Sequence, residues 1–236
     1  MFSHFVTCVD PDPAARLAEV DHEGLVTLIR RIPELARAHL HFPVVARDRY
    51  FDDGPQPMLT IQLYFQRLES LEEAASAQGA LQALARGRPP SLGSAQISHQ
   101  VMWTRRYPTM SSPTAHPQGQ RSCSYLVHYP GQPENLNEWL TYYLQHHPPI
   151  MRCFPGIREI EIHTRVDWVD ALPWQRVQHF QRNKIVFDSA EALEHALHSP
   201  VREQLKADRA HFPPFTGANV HHPLATETVV GAVFLS

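Results

Sequence analysis

The chain has 236 residues, of which 43% are hydrophobic and 19% charged, with a formal net charge of −3. This is a globular composition, long enough for one large domain or two of about 110 residues, each able to bury a core. It excludes a disordered chain, and without a basic run it offers no surface for nucleic acid or an anionic membrane.

No apolar run approaches the ~18 residues that cross a bilayer. Met1-Phe2-Ser3-His4-Phe5 lacks the basic and long apolar regions of a signal peptide. The expectation is a cytoplasmic protein with no membrane partner. Cys8, Cys123 and Cys153 show no CxxC spacing and read as reduced thiols.

In chain order, the first half reads as a strand (3–9), a helix (14–32), two strands (36–46, 58–66), a helix (70–86) and a strand (94–106). A stretch rich in Pro, Ser and Gly, 107–121, then reads as a linker. Beyond it, 123–130 alternates and is rich in aromatics, a strand closed by Pro130. Residues 134–147 place Leu136, Trp139, Leu140, Tyr143, Leu144 and His147 at helical steps. Pro148-Pro149 is expected to break or stop that helix. Residues 157–166 form a strand alternating Ile with Glu and His, and 179–189 form another. A helix over 189–212, capped by Ser189 and bent at Pro200, precedes a last strand at 220–230.

The halves share an offset of 122 positions: Pro33 with Pro155, His41 with His163, Phe65 with Phe187. FQRLESLEEA (65–74) likewise overlays FDSAEALEHA (187–196). Each half has the order β-α-β-β-α-β, the ferredoxin-like pattern, whose sheet carries helices on one face only. The expected fold is α+β: two tandem ferredoxin-like domains, 1–106 and 122–236, packed as an intramolecular dimeric α+β barrel.

The second half carries Tyr129-Pro130, His147-Pro148-Pro149, Phe154-Pro155-Gly156, Phe187-Asp188-Ser189 and Glu191-Ala192-Leu193. In these motifs, across most of 123–215, the chain resembles the EthD-like group of the dimeric α+β barrel superfamily. The resemblance implies a ligand between sheet and helices or in the barrel cleft, and a helix-end histidine as general acid/base, here His147. It also implies the activity class of muconolactone-type isomerases and polyketide cyclases and dehydratases. A cysteine of the methylisomerase branch would fall near Ile185.

An imidazole, with a pKa near 6.5, suits that role because it takes and returns a proton near neutral pH. The plainer reading is a boundary histidine that ends an apolar stripe. His146, rotated by about 100°, is expected to face water or the cleft rim. Glu161 and His163 share the polar face of 157–166, where they line the cleft or face solvent as part of an edge strand. Tyr125 and Tyr129 share a strand face, as ligand donors or as core. In the first half the position of His147 falls on Leu25, with His22 nearby, so that half is expected to cover rather than react.

The histidine pairs 146–147 and 221–222 and the triplet 39–41 form no ligand set at metal-binding spacing, so no metal and no cofactor are expected. The expected function is a cofactor-independent isomerase or lyase acting through His147. Its substrate would be a small aromatic-derived lactone, ketone or polyketide-like molecule, bound with Glu161, His163, Tyr125 and Tyr129. The alternatives are a noncatalytic binding or accessory protein of an oxygenase or aromatic-degradation system, or a heme-binding protein. A homodimer of tandem chains is compatible with the sequence.

Overall fold

The computed structural model describes residues 1–51, 53–110 and 121–231, so positions 111–120 of the inferred linker lie outside the described residues. The first half contains β1 (Phe2–Val9), α1 (Glu19–Ile29), β2 (Leu35–Pro43), β3 (Leu59–Phe65), α2 (Leu68–Ala75), α3 (Gln82–Arg86) and β4 (Gln96–Tyr107). The second contains β5 (Ser122–Tyr129), α4 (Leu136–Met151), β6 (Glu159–Arg165), β7 (Gln175–Arg176), β8 (Gln181–Phe187), α5 (Ala190–Leu197), α6 (Pro200–Arg209) and β9 (Val220–Val230).

The first half orders its strands β4-β1-β3-β2 and the second β9-β5-β8-β6, antiparallel throughout. Pairing of β2 with β9 and of β4 with β6 joins the halves and closes eight strands into an antiparallel barrel. Short β7 runs parallel to β4 at Ser98 and His99, beyond the end of the β6 pairing.

The register repeats with the sequence. Ala38 lies opposite Leu63, and Ile160 opposite Ile185, each residue of the second pair 122 positions past its counterpart. Glu34 (φ 56°) and Gly156 (φ 75°), at the same separation, both take left-handed backbone just after Pro33 and Pro155. Glycine takes that conformation without penalty; for Glu34 it costs about 1 kcal/mol.

Strand alternation sends one set of side chains out to the helices and the other into the barrel. Outward residues build two cores, one around Leu25, Ile29, Leu40, Ile61 and Leu63, the other around Trp139, Tyr143, Ile160, Ile162, Ile185 and Leu193. Inward residues include a fully buried apolar plug of Phe5, Met102, Leu126 and Leu224. Around it the interior is polar. Tyr64 donates to Glu161 (2.8 Å), Lys184 pairs with Glu161 (2.9 Å), and His41 bonds Thr226 (2.8 Å).

Two expectations change here. α4 runs through Pro148-Pro149 to Met151 instead of stopping. The prolines remove two backbone donors, but the Arg152 N–H still reaches the Pro148 carbonyl (3.0 Å). Tyr143 and His147 before the prolines, and Met151 and Phe154 after them, are buried and hold both sides of the interruption. The polar face of β6 is also not a solvated edge, because β6 pairs on both sides and Glu161 and His163 are fully buried.

Burial pushes the interior histidines His41 and His163 down to about 3, so both are neutral in the fold. Unfolding exposes them, with ordinary values near 6.5. A depressed folded-state value means that their contribution to stability is complete above about 6.5 and declines as pH falls from there to about 3. The expected loss is roughly 1 kcal/mol per such histidine per pH unit. Urea unfolding between pH 7.5 and 5 should show a falling midpoint, with a shallower slope for His41→Gln. A midpoint constant over that range would contradict the neutral interior histidines.

Candidate functional site

The cleft between the outward faces of β5 and β8 and helices α4 and α6 is lined on one side by Phe51 of the first half, with Asp48 and Asp53 beside it. α4 starts at a strong cap: Asn135 Oδ1 accepts the N–H groups of Asn137 (3.0 Å) and Glu138 (3.2 Å). From there Trp139, Tyr143 and His147 recur every four residues on the buried face, and His147 reaches the cleft wall. α6 buries Val201, Leu205 and Asp208, one helical stripe that ends in a carboxylate.

That stripe delivers Asp208 to His147. Nδ1 of His147 lies 2.6 Å from Asp208 Oδ2, and the Tyr142 hydroxyl donates to Oδ1 at 2.9 Å. An ionised carboxylate only accepts, so His147 carries its proton on Nδ1 and keeps Nε2 as the basic nitrogen. Tyr143 (4.7 Å between ring centroids) and Phe212 (5.0 Å) enclose the ring.

Burial lowers the His147 pKa below the ordinary value, against the hydrogen bond and charge of Asp208, which raise it. Arg202 and Arg209 add to the lowering. Burial works against the Asp208 charge, but hydrogen bonds from His147 and Tyr142 outweigh it and hold that carboxyl below its usual value. The outcome is a neutral, oriented base.

Across the cleft the two sequence-named tyrosines differ. Tyr125 donates its proton to Asp48 (2.8 Å), which also receives Nε (3.0 Å) and Nη2 (2.9 Å) of Arg202. Tyr129 accepts from Asn183 Nδ2 (3.4 Å). Burial raises the Tyr129 phenol against hydrogen bonds from Tyr143 and Asn183, so it keeps a proton to give. His221 donates from Nδ1 to Asp53 (2.6 Å) and stacks on Phe51 (4.0 Å). Arg209 lines the cleft and, among the described residues, has no acid partner. The space in the cleft, counted together with the open solvent at its mouth, is about 540 Å3.

The structure therefore brings His147, Tyr125 and Tyr129 to one cleft, with Ile185 in its wall. It does not bring Glu161 and His163 there. Both point into the barrel, where Glu161 meets Lys184 and Tyr64, and His163 bonds Thr104 (3.0 Å). His147 is oriented by Asp208 instead. His146 is exposed and stacks on Tyr142 (4.3 Å). In the first half Leu25 is core, and His22 pairs with Glu227 (3.0 Å). The corresponding space beneath that half's helices holds Trp168 and Trp174, brought over from the second half against His4 and His99.

Among the described residues no group of three or more His, Cys, Asp or Glu is placed to hold a metal ion. No helix among them is long and apolar enough to cross a membrane. His221 and His222 point to opposite faces of β9, the first into the cleft and the second into the barrel.

Sequence reasoning missed Asp208, Asn183, Arg202 and the contributions of Asp48, Phe51 and Asp53. Asp208 had a signal, since an acid three residues after Leu205 on an apolar stripe is out of place unless paired.

No family model matches the chain, and no curated protein matches it. Solved structures do. An anthrone oxidase-like protein aligns over 100% of this chain and 95% of its own at 12% identity, with a TM-score of 0.62. A candidate monooxygenase from Lactobacillus acidophilus aligns over 100% and 99% at 10% identity, with a TM-score of 0.51. The chain has the dimeric α+β barrel fold. An ethyl tert-butyl ether d (EthD) family protein from Bacillus halodurans matches 42% of this chain and 96% of its own at 20% identity, with a TM-score of 0.33. At these identities the first two establish the fold of this barrel and nothing finer, and the third adds no argument.

Asp208→Asn should lower the His147 pKa further, because it removes the charge that opposes burial. The substitution should also release the Nδ1–H tautomer. Histidine ring NMR across pH checks both. An unchanged His147 titration would separate Asp208 from its orientation.

Proposed function

We propose that this protein binds a small, flat, aromatic-derived or polyketide-like molecule in the second-half cleft and moves a proton on it with His147. The observation that carries the reading is the 2.6 Å contact of His147 Nδ1 with buried Asp208, which leaves Nε2 as the free base on the cleft wall. Nε2 would take a proton from a carbon next to a carbonyl, and Asp208 would stabilise the imidazolium that forms. The Tyr129 hydroxyl would donate to the developing enolate oxygen, and Arg209 would supply a nearby cation. Return of the proton at another carbon gives an isomer; loss of a leaving group gives a lyase. Nothing in that sequence calls on a cofactor.

The supporting architecture is a tandem pair of ferredoxin-like units, 1–106 and 122–236, an assignment supported by the repeated strand order and the 122-residue register. Three unpaired cysteines support a reducing, cytoplasmic setting. A second reading, oxidation of the same deprotonated substrate or accessory binding beside an oxygenase, draws on the neighbours named as an anthrone oxidase-like protein and a monooxygenase.

His147→Ala should lose about 10²–10⁴-fold in turnover, the range for a positioned acid/base, while His146→Ala loses little. A screen of lactones, hydroxyaromatic ketones and anthrones, with and without oxygen, identifies the substrate on which to measure it. Full turnover by His147→Ala on that substrate would falsify the assignment.

A further inference from the structure

A cluster of basic side chains lies inside the barrel, one inward row beyond Glu161 and Lys184. Arg182 of β8 is 1% exposed and sits over the Phe5 ring (4.7 Å to the centroid). Its inward row continues on both neighbouring strands, with His128 of β5 on one side and His163 of β6 on the other. His128 in turn meets His179 and His222, each at 5.3 Å between ring centroids.

This cluster is basic throughout. Among the described residues Arg182 has no acid partner, and its Nε and Nη1 have no acceptor. The Nδ1 atoms of His128 and His222 are likewise buried without a partner. Acids stand only at the margins: Glu161 lies 3.7 Å from His163 and is already paired with Lys184, and Asp53 faces His222 and is bonded to His221.

A guanidinium stays charged in proteins, and a buried charge without a counter-charge or acceptors costs several kcal/mol. Buried polar atoms in native folds almost always find a partner, so several orphaned polar atoms in one place, two of them guanidinium donors, mark something they hold. His179 and His222 are only half-buried. They are the least buried members of the cluster.

We propose that this end of the barrel is a binding site for a small inorganic anion, a halide or a planar oxyanion such as nitrate or bicarbonate. Arg182 Nε and Nη1 hold it through charge-assisted hydrogen bonds, with His128 and His222 as neutral donors at its edge. The site lies on the opposite face of the sheet from His147, so it stands or falls independently of the proposed chemistry.

The test uses bromide and nitrate on the full chain. Crystals soaked in sodium bromide should give an anomalous peak within hydrogen-bonding reach of Arg182. At constant ionic strength, wild type should gain a saturable rise in Tm of at least about 2 °C with nitrate. Arg182→Met should lose that response, and Arg182→Lys, which keeps the charge without the fork, should show a weaker one. The bromide soak needs no variant, so a misfolded variant does not block the test. Bromide found only at surface positions, or a nitrate response equal to that of an ionic-strength control, would overturn the site in favour of ordered water on the donors.

Discussion

A four-stranded sheet with helices on one face leaves its other face exposed, and in this chain the two seams β2–β9 and β4–β6 remove that problem for both halves at once. Closing the barrel satisfies the backbone groups of all four would-be edge strands. It also creates an enclosed interior that the sequence fills with charged and polar side chains around one apolar layer. Which side chains can meet follows from that closure, because each strand residue points either to the interior or to a helix-covered outer space.

This sorting separates two kinds of buried ionisable group. In the interior, burial would raise the Glu161 carboxyl, but Lys184 and Arg37 hold it well below the usual carboxylate range. Its Oε2 is taken by Lys184 and Tyr64, while Oε1 has only Arg37 and Arg106 at 3.7 and 3.6 Å. In the outer cleft, His147 has one nitrogen fixed and one free, and Tyr129 retains its hydroxyl proton. The most strongly perturbed groups are therefore not the ones best arranged for chemistry. Geometry decides, and the perturbation follows from it.

The barrel was largely legible because one pattern recurs along the chain: element order, the 122-residue offset and the aromatic strand at 123–130 all lie in local sequence. The helix end was misread because proline's local penalty was weighed without the burial of Met151 and Phe154 beyond it. In the site, His147 could be read from its place on the stripe of Trp139 and Tyr143. Asp208, sixty-one residues away, could not be joined to it without knowing that α6 packs on α4. Glu161 and His163 were misplaced for a simpler reason. Alternation tells which residues share a strand face, but not which face looks at the cleft, and barrel closure alone settles that.

Phe51, with Asp48 and Asp53 beside it, belongs to one half of the chain and lines the cleft of the other. Asp48, Phe51 and Asp53 thus touch Tyr125, Arg202 and His221, while His147, Asp208 and Tyr129 all come from the second half. A change at these first-half positions can reshape the cleft without disturbing the His147–Asp208 pair. Selection can act on the cleft wall and on the His147–Asp208 pair through separate stretches of the gene, an arrangement that a symmetric pair of identical subunits, where every loop change appears in both clefts, does not permit.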